Sequence, residues 1–147
     1  MEELRRIRLA AGMTQVELAS RAGIAPANLS AMETGARRPS PAMRDRIVAA
    51  TGLRRPSQVL ARHRDEVLDL IHRLGGVNPR VFGSVARQED TVLSDLDLLI
   101  TPMPGRAWDF CGLKPALSEL LGITVDVVPD TGLRTKHQKI LREAVPV

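Results

Sequence analysis

Hydrophobic residues recur at helical spacing through the first third of the chain. Leu4 and Ile7 begin an apolar face that continues to Ala10, and Gly12 ends the predicted helix. Three more segments show the same spacing, each with a capping residue or a proline at its start and a glycine at its end. They run from Thr14 to Gly23, from Pro26 to Gly35 and from Ser40 to Gly52. Helices this short are not stable alone, so we expect the four to share one core.

The pattern changes after residue 55. Ser57 can cap a helix that reaches about Leu74, and Gly75-Gly76 ends it. Short apolar runs then alternate with helical segments. They predict strands at 79–82, 93–100 and 123–128, a short helix at 85–88, and a helix from Pro115 to Gly122. We therefore predict two small domains, an all-α domain over residues 1–55 and an α/β (α+β) domain over residues 56–147.

Charge differs between the two predicted domains. Residues 1–55 contain ten arginines and five acidic residues, whereas residues 56–147 contain eleven lysines and arginines and twelve acids. A basic domain is suited to an acidic polymer, because binding releases counterions from the phosphates. The near-neutral second domain requires another explanation.

The spacing of polar and glycine residues in the first domain is typical of one DNA-binding family. The matching pieces are Met13-Thr14-Gln15, Glu17-Leu18-Ala19, Gly23-Ile24, Leu29-Ser30 and Arg38-Pro39-Ser40. On these residues the domain resembles the helix-turn-helix domain of the Cro/phage-repressor (XRE) family. The resemblance implies binding to double-stranded operator DNA, with residues 26–34 as the recognition helix in the major groove.

The candidate DNA-binding residues are Gln15, Asn28, Ser30, Arg37 and Arg38. Gln15 can either reach a phosphate or brace the recognition helix, and the two arginines suit phosphates. Ala27 and Ala31 can touch a thymine methyl group but cannot donate bidentate hydrogen bonds, so we expect modest specificity for each half-site. Such helical modules also serve as protein-docking units, which is the alternative interpretation.

A glycine-serine corner and two aspartates carry the chemistry of the second domain. Gly83-Ser84 follows the predicted strand 79–82, where a glycine lets the backbone approach a ligand and the following amides favour phosphate. Asp95 and Asp97 fall on one face of the next predicted strand. Like charges on one face repel, and a divalent cation between them is the economical explanation. The alternative is an exposed strand face with two solvated carboxylates.

Asp126 interrupts a strand that otherwise consists of β-branched residues, where an unpaired charge would be costly. If this strand lies beside the one that carries Asp97, Asp126 completes a cluster of three carboxylates. The string Phe82-Gly83-Ser84-Val85-Ala86-Arg87, followed by Ser94-Asp95-Leu96-Asp97, resembles the minimal nucleotidyltransferases (MNT) of the polymerase-β-like superfamily, and so do the later strand and the tail that ends in Val145. The relatives usually carry glycine where Gln88 stands.

The resemblance implies a role for each matching position. Gly83, Ser84 and Arg87 would bind the phosphates of the nucleotide, and Arg134 and Lys136 could also steady phosphate charge. Asp95, Asp97 and Asp126 would be the catalytic residues and would bind two Mg²⁺ ions. The implied donor is ATP, and the reaction is attack of a hydroxyl on the α-phosphate with loss of pyrophosphate.

The resemblance also implies a partner. Members of the MNT family act as antitoxins and transfer AMP to a tyrosine of a HEPN-type ribonuclease toxin. We therefore expect an antitoxin that modifies such a toxin, represses its own operon and forms an oligomer or a hetero-oligomer with the toxin. Only 21 residues follow Asp126, so we expect the acceptor to bring its own docking surface. The alternative is a non-catalytic regulator that neutralises its partner by binding only; a transferase for small molecules is disfavoured.

The remaining composition excludes several classes. Three aromatic residues are too few for stacking platforms that bind single-stranded nucleic acid. Trp108 and Phe110 are interpreted mainly as core, with a partner-docking patch as the alternative. A lone cysteine, Cys111, cannot form an internal disulfide and is interpreted as a small buried side chain. The chain begins without a signal pattern and contains no apolar run of the roughly 18 residues that a membrane span requires, so we expect a cytoplasmic location.

Overall fold

The computed structural model describes residues 2–133 and 137–147. The chain divides into two compact units, the first ending at Leu53 and the second beginning at Arg54. Within the described residues, no helix combines the length and the apolar character needed to pass through a bilayer.

The first unit consists of four short helices, at the positions that the sequence predicts. They are α1 (Glu2–Ala10), α2 (Gln15–Ala22), α3 (Pro26–Thr34) and α4 (Pro41–Ala50). The predicted capping box at the start of α2 is present: the Glu17 amide donates to Thr14 Oγ1 at 3.2 Å, and the Thr14 amide donates to Glu17 Oε2 at 2.8 Å. Gly23 ends α2 in the left-handed conformation, with a φ of 63°.

A shared apolar core and one buried ion pair hold these helices together. The core side chains are Leu4, Leu18, Ala19, Ala22, Leu29, Met32 and Ile47. Beside the core, Arg8 donates to both carboxylate oxygens of Glu33, at 2.7 and 3.0 Å, and the Glu33 side chain is only 2% exposed. Because a buried carboxylate without a partner is costly, this pair fixes α1 against α3.

The second unit is an α/β domain built on a mixed sheet. Its helices are α5 (Pro56–Arg62), α6 (Arg64–Arg73), α7 (Gly83–Ala86), α8 (Phe110–Leu121) and α9 (Gln138–Glu143), and its strands are β1 (Gly76–Phe82), β2 (Leu96–Pro102), β3 (Val125–Pro129) and β4 (Val145–Pro146). The strand order is β3-β2-β1-β4. β2 and β3 run parallel, whereas β1 is antiparallel to both β2 and β4.

One face of the sheet forms the core of this unit. Alternate residues of β2 and β3 pack with apolar side chains of α5, α6 and α8; this core includes Val59, Leu60, Val67, Ile71, Leu96, Leu98, Ile100, Leu113, Leu117, Val125 and Val127. Trp108 packs against the same core and leaves no room for a side chain at Gly76. The opposite face of β2 and β3 carries Asp97 and Asp126.

Several predicted boundaries are wrong, among them the start of β1, which is Gly76 instead of residue 79, and local contacts explain two of the others. The single helix predicted to reach Leu74 breaks at His63, whose ring pairs with Glu66 in the first turn of α6 at 2.9 Å. α8 begins five residues before Pro115, because the Asp109 side chain accepts the Gly112 amide and caps the helix earlier. The short helix predicted at 85–88 begins instead at Gly83, directly after β1.

We expect acid to destabilise the first unit. Burial would raise the pKa of Glu33, but the hydrogen bonds from Arg8 and Gln15 outweigh it and hold the pKa below the ordinary value of 4.5. A lowered folded-state pKa contributes stability that is fully present above about pH 4.5 and is lost as the pH falls through the folded value. Glu33→Gln should lower the free energy of unfolding at neutral pH by roughly 3 kcal/mol and flatten its dependence on acid pH.

Urea titrations followed through the amide NMR signals of residues 2–53 measure this directly. Asp45→Asn, which removes an exposed acid from the same unit, is the control and should retain the acid sensitivity of the parent chain. An unchanged acid response in Glu33→Gln would show that the pair with Arg8 does not stabilise the helices.

Candidate active site

The site is built around the corner where β1 meets α7. Gly83 adopts a φ of 68°, a conformation that favours glycine. A Cβ atom at this position would overlap the carboxylate of Asp97, far inside van der Waals contact. The missing side chain therefore provides the space that the Asp97 carboxylate occupies.

The sheet places two acidic residues side by side. Asp97 of β2 and Asp126 of β3 are register partners on neighbouring parallel strands, about 4.8 Å apart in the hydrogen-bonding direction. Because paired residues project to the same face, both side chains lie on the face opposite the core. The structure thus brings together two of the three predicted carboxylates through strand pairing alone.

The third carboxylate approaches from a loop. The strand predicted over 93–100 begins only at Leu96, because residues 91–94 form a turn in which the Ser94 amide donates to the Thr91 carbonyl at 3.1 Å. Asp95 therefore stands one residue before β2 and is exposed, rather than sharing a strand face with Asp97. Its negative charge nevertheless contributes to raising the pKa of Asp97.

Negative charge is concentrated around Asp97. Burial and the charges of three nearby carboxylates raise the pKa of Asp97, and the positive charge of Arg87 offsets part of this effect. The three carboxylates belong to Asp126, Asp95 and Glu143. An additional cation at this point would therefore stabilise the ionised carboxylates.

Lys114 provides one such cation, and it was not among the residues selected from the sequence. Its ammonium group lies 2.5 Å from Asp126 Oδ1, with the Lys114 and Asp126 side chains 52% and 46% exposed. Lys114 is on α8, twelve residues before Asp126, and only the packing of α8 on the sheet reveals the contact. An exposed pair of this kind contributes little stability and can exchange for another partner.

The residues fit a hard divalent cation by donor type. Asp95, Asp97 and Asp126 supply the carboxylate oxygens that Mg²⁺ prefers, and Gly83 leaves room for the central one. Over residues 2–133 and 137–147, however, no three acidic, histidine or cysteine side chains are gathered closely enough to bind a metal ion in this conformation. Asp126 is paired with Lys114 in this conformation, and the metal-binding roles remain predictions.

The predicted phosphate-binding groups are engaged by acids of the same chain. The Gly83 amide donates to Glu143 Oε1 at 2.9 Å, and Arg87 donates to Glu143 Oε2 at 3.1 Å and to Glu89 Oε2 at 2.9 Å. The Gly83 hydrogen bond and the Arg87 charge lower the pKa of Glu143. Ser84 is the second residue of α7 and is partly buried. Glu143 was not selected from the sequence, because it lies 60 residues away from Gly83.

Other candidate residues have varied placements. Gln88, at the position where the relatives usually carry glycine, adopts a left-handed φ of 59°. Cys111 is exposed, which corrects the expectation of a small buried side chain, because it lies in the first turn of α8 away from the core. Phe110 is 38% exposed, whereas Trp108 packs on the core. Arg134 and Lys136 lie outside the described residues.

The candidate DNA-binding residues of the first unit form two groups. Gln15 braces the recognition helix α3 by donating to Glu33 Oε2 at 2.8 Å, which is one of its two predicted roles. Asn28 is exposed at the start of α3, and its Oδ1 accepts from Arg37 at 3.3 Å. Arg38 is also exposed, and Ser30 is partly buried. Exposed polar and basic side chains therefore lie on α3 and directly after its C-terminal end.

Comparison with known proteins finds a family model for each part of the chain. Residues 2–61 match the family model described as "Helix-turn-helix domain", and residues 60–147 match the one described as "Nucleotidyltransferase domain". A protein of Methanocaldococcus jannaschii named "Putative protein adenylyltransferase" is 33% identical over 84 residues, which cover 56% of this chain and 90% of that protein. A solved structure titled "Structure of putative minimal nucleotidyltransferase" is 46% identical, with a TM-score of 0.55, over 62% of this chain and 95% of that one.

The chain belongs to the nucleotidyltransferase domain family. It is a nucleotidyltransferase that also carries a helix-turn-helix domain.

We expect Gly83→Ala to damage the site more than the fold. Gly122→Ala is the matched control, because Gly122 has a similar φ of 64° but nothing lies within 4 Å of an added Cβ. Each substitution should lower the free energy of unfolding by about 1 kcal/mol through backbone strain. Only Gly83→Ala should displace the Asp97 carboxylate, and it should weaken Mn²⁺ binding by about tenfold or more.

Thermal unfolding and Mn²⁺ titration by electron paramagnetic resonance separate the two effects. Equal Mn²⁺ affinity in the two variants would contradict the role given to the space at Gly83.

Proposed function

We propose that this nucleotidyltransferase transfers AMP from ATP to a hydroxyl side chain of a protein partner. The observation that carries the proposal is the register pairing of Asp97 with Asp126 beside the Gly83 corner. Carboxylates next to a phosphate-binding corner suit transfer of a nucleotide, because they can hold cations against the phosphates and accept a proton from the attacking group.

In this mechanism the Asp126 carboxylate orients the acceptor hydroxyl and takes its proton. The acceptor oxygen forms a bond to the α-phosphorus while the bond between that phosphorus and the bridging oxygen breaks, and pyrophosphate leaves with the electron pair. Gly83, Ser84 and Arg87 bind the phosphates. Asp95, Asp97 and Asp126 would hold two Mg²⁺ ions, whose chemistry is to stabilise the negative charge on the attacking and leaving oxygens.

The exposure of the site supports a large acceptor. β3 is at one edge of the sheet in the order β3-β2-β1-β4, and the Asp126 side chain is 46% exposed. A side chain on the surface of another protein can therefore reach Asp126 without entering a deep cavity. The name of the archaeal relative, a "Putative protein adenylyltransferase", agrees with this type of acceptor.

The identity of the partner follows from the family resemblance of the motifs. We propose that the partner is a HEPN-type ribonuclease toxin and that the chain acts as its antitoxin. The chain contains no tyrosine, so a tyrosyl acceptor would lie on the partner. This antitoxin would also repress its own operon through the helix-turn-helix domain.

Incubation of the chain with the proposed HEPN-type partner, ATP and Mg²⁺ should add the mass of one nucleoside monophosphate to the partner. Replacing Asp95 and Asp97 together by asparagine should slow this modification by about a hundredfold or more, because the charges that hold the cations are lost. Asp65→Asn, which removes a carboxylate that is 96% exposed, is the control and should act like the parent chain.

Intact-protein mass spectrometry reads the result. If the parent chain neutralises the partner with no mass change under any nucleoside triphosphate, the non-catalytic alternative is correct. Normal modification by the double variant would reject the assigned carboxylates.

We also propose that the first unit binds double-stranded operator DNA through α3 and the residues that follow it. Asn28 and Ser30 would face the bases, and Arg37 and Arg38 would contact phosphates. The exposed side chains of Asn28, Arg37 and Arg38 support this arrangement. Gln15 would act indirectly, because its amide group is already bound to Glu33.

Arg38→Ala should weaken binding to specific and non-specific duplexes alike and reduce the slope of log K against log salt by about one. The contact is to a phosphate, so sequence preference should not change. Arg62→Ala removes the same charge from α5 and should leave the slope unchanged. Fluorescence anisotropy with the duplex upstream of the gene and a scrambled duplex, each over a salt series, measures both quantities; a loss confined to the upstream duplex would contradict a phosphate contact.

A further inference from the structure

One carboxylate binds two of the three groups that were assigned to the nucleotide phosphates, Gly83 and Arg87. Glu143 Oε1 accepts the Gly83 amide at 2.9 Å, and Glu143 Oε2 accepts from Arg87 at 3.1 Å. The Glu143 side chain is 20% exposed, so the contact is partly shielded from solvent. A carboxylate held by a backbone amide and a guanidinium occupies the donors that an anionic phosphate oxygen would use.

The sheet fixes Glu143 in this position. Glu143 ends α9, and two residues later Val145 begins β4, where it pairs with Val81 of β1. β1 itself leads into Gly83. Gly83 follows β1, and Glu143 precedes β4. Because β1 and β4 are paired, the sheet holds the Glu143 carboxylate next to Gly83.

The negative charge of Glu143 also acts on the neighbouring Asp97 carboxylate. This charge adds to those of Asp95 and Asp126 in raising the pKa of Asp97. A bound triphosphate would be repelled by the same charge, so the nucleotide and Glu143 compete.

We propose that Glu143 is an internal phosphate mimic, which occupies the Gly83 and Arg87 donors until a nucleoside triphosphate displaces it. The inference rests on the proposed function, because that function assigns Gly83 and Arg87 to the nucleotide. Glu143 then sets the affinity for the donor without taking part in the transfer. Displacement releases the end of α9 and loosens the β4 pairing next to it.

Calorimetry with a non-cleavable α,β-methylene analogue of ATP and Mg²⁺ tests the proposal. Glu143→Ala and Glu143→Gln should both tighten binding by roughly tenfold, because the competing charge is gone. Glu89→Gln is the matched control: Glu89 also binds Arg87, at 2.9 Å, but has no hydrogen bond to the Gly83 amide in the described structure. It should change the affinity by less than about threefold.

A second measurement distinguishes displacement of Glu143 by the nucleotide from a purely structural role of Glu143 at the Gly83 corner. Hydrogen exchange of residues 138–147 in the parent chain should become faster when the analogue binds, and inorganic triphosphate should have the same effect. Weaker analogue binding by both Glu143 variants would show that the carboxylate supports the corner. Unchanged affinity together with unchanged hydrogen exchange would show that Glu143 does not compete with the nucleotide. Either result overturns the inference and leaves the proposed transferase function unaffected. If neither the parent chain nor the variants bind the analogue, the proposed function fails as well.

Discussion

Two like charges are held next to each other by the apolar core beneath them. Asp97 and Asp126 are paired because their neighbours on β2 and β3, among them Leu98 and Val127, must face the core. Each buried leucine or valine contributes about 1.5–3 kcal/mol, and several are buried together, whereas repulsion between two partly exposed charges costs about 1–4 kcal/mol. A shift of one residue would remove the repulsion but would expose the whole apolar face. The core therefore imposes the charge pair on which the proposed transfer reaction depends.

The two units use ion pairs in different ways. Arg8 and Glu33 are almost fully buried and satisfy each other's hydrogen bonds, so their pairing is part of the fold. The pairs at the active site, Lys114 with Asp126 and Arg87 with Glu143, are more exposed. Pairs of that kind are weak enough to be replaced by a ligand of the same charge. An ion pair thus stabilises the fold in the first unit, whereas in the second unit ion pairs can be replaced by a ligand.

The sequence was most informative where the determining contacts are local. The capping box between Thr14 and Glu17 spans three residues, so the start of α2 could be predicted closely. The alternation around Asp97 placed it on the face away from the core, but pairing with Asp126 could be expected only conditionally, because strand order is a property of the whole domain. Lys114 and Glu143 could not be found at all, since their partners are brought to them by packing. A local contact also made one prediction wrong. Proline favours the first turn of a helix, so the start of α8 was predicted at Pro115, but the Asp109 cap begins the helix earlier.

The left-handed turn at Gln88 has a consequence for local motion. A side chain in this conformation costs about 1 kcal/mol more than glycine would. Unwinding the turn would recover that energy, so we expect local opening around Gln88 to be about five times more frequent than with glycine at this position. Since Arg87 belongs to this turn, local opening of the turn would also move the Arg87 guanidinium.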